Sequence, residues 1–272
     1  MTPLDALLLG ILEGLTEFLP VSSTGHLILL GERLGAESEA AKTLEIVIQA
    51  GAVLAVVVYY RDVLLGLLRG LLKREAAAIQ LTLALGVAFL PAAATGYLLH
   101  KVIKEKLFWG GPVAAALVLG GVVMIVVEAI RKRRGDPGLD GTEHVTLKRA
   151  LIIGLAQCLA LWPGASRSMT SIVGGQMTGL STKTAADFSF LLSIPTLGAA
   201  TAFDLLKNGD ALFAMEGGAT ALAIGLVVSF VVALAVIAVF LRYLRRFGLA
   251  PFGVYRILLG FLVLAAYFTG AA

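Results

Sequence analysis

Six long apolar runs decide most of what this chain can become. They cover roughly residues 43–60, 77–99, 111–130, 182–205, 218–241 and 252–270. A helical crossing of a bilayer needs about 20 apolar residues, and backbone in lipid has to satisfy its own N–H and C=O groups. The runs therefore predict an all-α integral membrane protein with six transmembrane helices. Composition agrees: 58% of residues are hydrophobic and 15% charged, and the mean hydropathy of +0.92 excludes an ordinary soluble domain. No cleavable signal peptide is expected, because the N-terminus lacks a basic n-region and the first apolar stretch holds Glu13 and Glu17. The one cysteine, Cys158, excludes an intrachain disulfide. The net charge of +4 does not point to nucleic acid. The basic residues cluster in short linkers, as the positive-inside rule expects of a protein whose partner is the bilayer.

Two stretches interrupt this pattern. Residues 13–26 read EGLTEFLPVSSTGH and residues 160–171 read ALWPGASRSMTS. The apolar segments flanking each are too short to cross a bilayer, so each reads as a re-entrant helix hairpin with a polar tip. A polar patch, Gly31 to Lys42, follows the first. The two halves of the chain also repeat weakly. Leu9-Gly10-Ile11-Leu12-Glu13 pairs with Ile153-Gly154-Leu155-Ala156-Gln157, and Pro20-Val21-Ser22-Ser23 with Pro163-Gly164-Ala165-Ser166. AKTLEIVIQAG at 41–51 pairs with AADFSFLLSIP at 185–195. The chain thus divides into repeat one (about 1–130), a basic linker (131–147) and repeat two (about 148–272). Each half holds one hairpin and three spans. Three is odd, so the second half enters from the opposite side, an inverted-topology repeat with its site near the midplane where the broken helices meet. Linkers 61–76, 131–149 and 242–250 carry most of the Lys and Arg and should be cytoplasmic. The termini and the mouth of the first hairpin then face outward.

The tips carry the chemistry. Glu13 and Glu17 are four apart and share a helix face. Pro20 is expected to end that helix. Ser22, Ser23 and Thr24 are good N-cap types, and Gly25 is read as a close backbone approach. In the second tip, Ser166, Ser168, Thr170 and Ser171 surround Arg167 just before a new helix. A helix N-terminus with hydroxyls and an arginine is suited to anions, and two such termini face to face suit a diphosphate. Carboxylates inside a membrane are costly and functional by default. Glu13 and Glu17 would repel an anion directly, so they either hold a divalent cation or one of them serves as acid or base. His26 lies three residues beyond Ser23 on the same helix face. This suits Ser23 as nucleophile and His26 as its base or as the leaving-group acid; attack by water or by His26 itself stays open. Glu45 and Gln49 share a face of the next span and either line the cavity or bond another helix. Ala6, Gly10 and Gly14 form a small-residue ridge for packing.

EGLTEFLPVSSTGH, IQAG at 48–51 and ALWPGASRS at 160–168 resemble the undecaprenyl-pyrophosphate phosphatase family, the bacitracin-resistance proteins of the bacterial cytoplasmic (inner) membrane. The match extends along the whole chain in length and span pattern. The resemblance implies hydrolysis of C55 polyprenyl diphosphate to the monophosphate carrier lipid of cell-wall synthesis. It also implies a periplasm-facing site, help from Mg²⁺ or Ca²⁺, and roles for Glu13, Glu17, Ser23, His26, Ser166 and Arg167. The family usually reads PGxSRSGxT. Here Met169 replaces the glycine and Ser171 the final threonine, which leaves open whether Thr170 or Ser171 is the ligand. A lipid flippase or secondary transporter on the same inverted repeat is the alternative, though neither needs a Ser, a His and two Glu in one hairpin. A homodimer stays open.

Overall fold

The computed structural model describes residues 2–34, 38–107, 109–135 and 137–269. They fold into α1 (Pro3–Thr16), α2 (Ser23–Arg33), α3 (Glu39–Val47), α4 (Gln49–Tyr59), α5 (Arg61–Leu72) and α6 (Ala76–Leu107). There follow α7 (Gly110–Arg134), α8 (Leu147–Gln157), α9 (Arg167–Met177), α10 (Thr182–Ala214), α11 (Gly218–Phe247) and α12 (Ala250–Thr269). Short 3-10 turns cover Thr142–His144 and Cys158–Leu161. Among the described residues there is no strand, only one parallel bridge between Leu139 and Leu180.

Six stretches are long and apolar enough to cross a membrane: Ala40–Tyr59, Ala76–Leu99, Gly110–Arg134, Thr182–Ala214, Gly218–Leu244 and Ala250–Phe268. The chain is an all-helical, multi-pass membrane protein. Its outer surface is accordingly apolar, with Leu98, Leu206, Val227, Leu258 and Leu262 all exposed.

Several boundaries differ from the sequence reading. α1 starts on a capping box, in which Thr2 Oγ1 accepts from Asp5 N–H and Asp5 accepts from Thr2 N–H, with Pro3 in the first turn. It stops at Thr16, four residues before Pro20, and a run of turns carries the chain through the proline. The first crossing is two helices meeting at Ile48, where Gly51 N–H reaches back only three residues to the Ile48 carbonyl. Most of the linker expected over 61–76 is helical, the amphipathic α5. Its Leu64 and Leu67 pack on the core, while Leu65, Leu68 and Leu72 are exposed, the pattern of a helix lying in an interface. The linker from 131 is in part the last turn of α7. Arg131 is pinned there by donating Nη1 to the Gln176 and Leu180 carbonyls, at 2.7 and 2.8 Å. α6 and α10 overrun their apolar windows because Lys, Glu and Asn continue a helix without difficulty. Residues 35–37 of the polar patch lie outside the described residues.

The helices approach closely where side chains are small. A Cβ on Gly10 or Gly14 would sit 2.9 or 2.8 Å from the carbonyls of Gly225 and Ser229, so the ridge on α1 docks on α11 as packing. On α8, a Cβ on Gly154 would sit 2.5 Å from the Ala88 carbonyl of α6. α7 and α12 meet through Gly121 and Gly253. Gly51, within the IQAG motif, lies against the Leu226 carbonyl of α11. The largest core runs from Phe18 through Ala52, Val56, Ala84, Ile153, Ile172, Phe188, Phe190 and Ile237 to Phe240. The two tips are set into its edge.

Candidate active site

The first break sits between α1 and α2. Glu13 is fully buried and Glu17 nearly so. Ser22 has φ +73, a left-handed conformation that is uncommon for any residue but glycine. It caps α2 by accepting Gly25 N–H on Oγ at 3.3 Å. The second break sits between α8 and α9. Gly164 has φ +93, and a Cβ there would lie 2.5 Å from the Val113 carbonyl, so this position requires glycine. Ser166 has φ +72 and caps α9 by accepting Met169 N–H at 3.3 Å. Backbone angles and caps therefore match Ser22 with Ser166, whereas the aligned prolines had matched Ser23 with Ser166.

One carboxylate joins the two breaks. Glu17 Oε2 accepts from Ser23 Oγ at 2.5 Å, and Glu17 Oε1 accepts from Arg167 Nη2 at 3.0 Å. Arg167 Nη1 donates to the Ser189 carbonyl at 2.9 Å and to its hydroxyl at 3.3 Å. The guanidinium lies over the Phe18 ring, 5.6 Å from its centroid. Its Nε is buried with no partner. Ser168 Oγ donates to the Leu19 carbonyl at 3.0 Å and lies 3.0 Å from Ser166 Oγ, a second tie between the tips.

Glu13 is the open end of the site. Both its carboxylate oxygens are buried without a hydrogen-bond partner, and its charge neighbours are Glu17, Arg167 and Glu45. A buried carboxyl group with neither oxygen hydrogen-bonded is costly to maintain. Unpartnered oxygen donors fit a hard divalent ion. No group of three or more His, Cys, Asp or Glu among the described residues could hold a metal by itself. Two protein carboxylates with substrate phosphate oxygens is the set Mg²⁺ commonly takes. Glu45 lies at the rim of α3, its Oε1 2.7 Å from where a Gly31 Cβ would sit. Gln49 is half-buried at the start of α4. Gln157, aligned with Glu13, is also buried with neither amide atom partnered.

Other expected residues are placed differently. His26 does not pair with Ser23. Its Nδ1 lies 2.7 Å from the Ser22 carbonyl and its Nε2 2.7 Å from Tyr255 Oη. The reason is the turn at Ser22, which aims a carbonyl at the ring and leaves Ser23 to Glu17. Thr170 Oγ1 and Ser171 Oγ both donate to the Arg167 carbonyl, at 3.0 and 2.7 Å, and Ser171 also meets Ser189 Oγ at 2.6 Å. These hydroxyls brace the first turn of α9 and position Arg167. Gly25 is no close approach, since a Cβ there would meet Ser22 Oγ at 3.5 Å and Val113 at 3.7 Å, ordinary contacts. Thr24 is half-buried. Met169 is accommodated by a second glycine: a Cβ on Gly120 of α7 would lie 2.8 Å from Met169 Cε. α9 runs through Met169 undisturbed.

Sequence reasoning missed Arg256. It is fully buried on α12 and donates only to backbone carbonyls: Pro20 and Gly164, one from each tip, and Ala116 and Leu117 of α7, at 2.8–3.3 Å. It fastens both tips to one point. The available signal was an arginine six residues inside an apolar span, which is costly enough to require a purpose. Ser189 and Tyr255 carried no comparable signal.

Comparison with known proteins follows the same lines. The family model described as Bacitracin resistance protein BacA matches residues 6–262. An undecaprenyl-diphosphatase of Sorangium cellulosum is 68% identical over 260 residues, covering 96% of this chain and 85% of that protein. One of Caldanaerobacter subterraneus subsp. tengcongensis is 46% identical over 261 residues, covering 96% and 94%. One of Cereibacter sphaeroides (strain ATCC 17029) is 47% identical over 271 residues, covering 99% and 98%.

Proposed function

The chain belongs to the bacitracin resistance protein BacA family, and from that premise we propose that it hydrolyses undecaprenyl diphosphate to undecaprenyl phosphate and inorganic phosphate. One observation in the site carries the reading: Glu17 binds a serine hydroxyl from one break and an arginine from the other. That is an activated nucleophile beside an anion anchor.

The diphosphate lies across the N-termini of α2 and α9. The free Nε–H of Arg167 and the N–H groups of the two first turns meet its oxygens. Ser23 Oγ attacks the terminal phosphorus. A Ser–O–P bond forms, the bridging P–O bond breaks, and polyprenyl monophosphate departs. Glu17 takes the serine proton, being its hydrogen-bond partner. Water then cleaves the phosphoseryl bond, inorganic phosphate leaves, and the proton returns to Ser23. Glu13, with Glu17 beside it, would hold Mg²⁺ or Ca²⁺. When bound, such an ion neutralises phosphate charge.

We place the site in a bacterial inner membrane, within two re-entrant hairpins of an inverted repeat, opening to the periplasm. The matched φ of Ser22 and Ser166 supports the repeat. So does the crossed packing, in which α1 docks on α11 and α8 on α6 through glycines at equivalent positions. Nothing in the site or among the relatives favours the flippase or transporter reading.

The test is phosphate release. Purified protein in detergent should liberate inorganic phosphate from undecaprenyl diphosphate, and chelation of divalent ions should slow it. A clean preparation that releases none at any divalent concentration refutes the proposal.

A further inference from the structure

The turn at Ser22 fixes more than a helix cap. With φ +73, Ser22 directs its carbonyl along the first turn of α2, where it accepts both the backbone N–H of His26 at 3.3 Å and ring Nδ1 at 2.7 Å. A carbonyl can only accept, so Nδ1 carries a hydrogen. Nε2 is therefore the ring nitrogen able to gain or lose a proton. It faces Tyr255 Oη at 2.7 Å, with the two rings parallel. A phenol both donates and accepts. It can donate to the Nε2 lone pair of neutral His26, or accept from Nε2–H of the imidazolium.

Tyr255 has little freedom to drift. The next residue, Arg256, is bound to four carbonyls on two tips and α7, which sets the register of α12 against α2. Higher up the same seam, Ile28 and Leu29 of α2 and Leu259 and Leu264 of α12 all pack against the cluster of Val113, Ala114, Leu117 and Val263. Among the described side chains, Arg256 of α12 is the charged group that acts on the ring. No carboxylate bond to the ring occurs among the described residues, Glu17 being engaged with Ser23 and Arg167. Tyr255 is 44% exposed beside the lipid-facing Val254 and Leu258, so the pair stands at the rim of the site.

We infer that Tyr255 is a positioning residue for the phosphatase reaction, holding Nε2 of His26 at the rim so that a proton enters or leaves the imidazole through that nitrogen alone. The inference rests on the phosphatase reading for its kinetic part, in which His26 gives its Nε2 proton to the departing monophosphate and regains one from the attacking water while Glu17 serves Ser23, and on geometry for its structural part.

The experiment combines nitrogen NMR with kinetics on the whole protein in detergent. His26 is assigned among the three histidines by comparison with His26→Gln. In Tyr255→Phe, which keeps the ring and removes the hydroxyl, the Nε2 resonance of His26 should move while Nδ1 stays protonated. The kcat should fall roughly tenfold, the worth of one hydrogen bond, with KM nearly unchanged and the pH profile of kcat displaced. Val254→Ala, on the lipid face, should change neither readout. An unmoved Nε2 resonance, or a moved resonance with an unchanged pH profile, overturns the inference. A wild-type protein that shows the NMR signature but releases no phosphate overturns the phosphatase reading, and with it the kinetic role, while Tyr255's hold on His26 stands.

Discussion

Arg167 is held at both terminal nitrogens and open at Nε. Glu17 and Ser189 take the terminal nitrogens and Phe18 lies beneath the plane, so a phosphate oxygen finds the guanidinium already oriented. Preorganised charge of this kind is worth about 2–4 kcal/mol in a transition state. Arg167→Ala should therefore lower kcat/KM on the order of 10²–10³-fold. Arg167→Lys should recover only part of this, because an ammonium cannot bridge Glu17 and Ser189 while facing phosphate. Phosphate release under matched divalent ion decides the matter, and full activity in either variant moves the anchor elsewhere. Ser23 and Glu17 act as a unit. Glu17→Gln keeps a partner for Ser23 but cannot take its proton, so it should be nearly as damaging as Ser23→Ala. Acid quenching during turnover should trap phosphate on Ser23. Label on His26 would make histidine the nucleophile, and no label with an active Ser23→Ala would leave the attack to water.

At the scale of elements, each tip is a helix end that cannot hold its own shape. The left-handed serines cost about 1–3 kcal/mol each, and the carbonyls of Pro20 and Gly164 point into protein. Arg256 satisfies both. Arg256→Ala would leave the carbonyls of Pro20 and Gly164 without their donor, at about 1–3 kcal/mol apiece before relaxation, while those of Ala116 and Leu117 keep their partners within α7. The expected result is a lowered thermal midpoint in detergent and an activity loss larger than the loss of folded protein. Arg256→Lys has too few donors, without the fork, to restore it. A variant with wild-type stability and activity would show that the tips are held by other contacts. The tips themselves were legible in the sequence, since Pro20, Gly164 and clustered hydroxyls have no place inside a span, and buried charges advertise function. What holds them was not. Glu17 lies on the helix face of Glu13, but its pairing with Ser23 depends on the chain turning at Ser22, and pairwise spacing along an unbroken helix cannot show that turn. The one-residue slip between matched prolines and matched serines has the same origin. The boundary of α5 was hidden by its arginines, which mark an interface as readily as a linker.

At the scale of the molecule, no half of the chain contains the site. Ser23, Glu17 and Glu13 come from before the central linker, Arg167 and Ser189 from after it, and α1 docks mainly on α11 of the second half. If the halves are inverted copies, cysteines placed at exposed Lys148 and Asp210 in a Cys158→Ser background should react with an impermeant reagent from opposite faces, Lys148 from the cytoplasm. Labelling of both from one face would refute the inverted arrangement.

The binding of both tips by α12 also orders events in time. The second tip emerges from the ribosome some 90 residues before Arg256, and His26 of the first precedes Tyr255 by 229 residues. During that interval the nascent protein holds its two carboxylates, its serine and its arginine in the membrane without the residue that fixes them in place. The expected outcome is that a chain stalled just before Ala250 is inserted, nearly complete, and catalytically silent, which phosphate release by a chain ending there would refute.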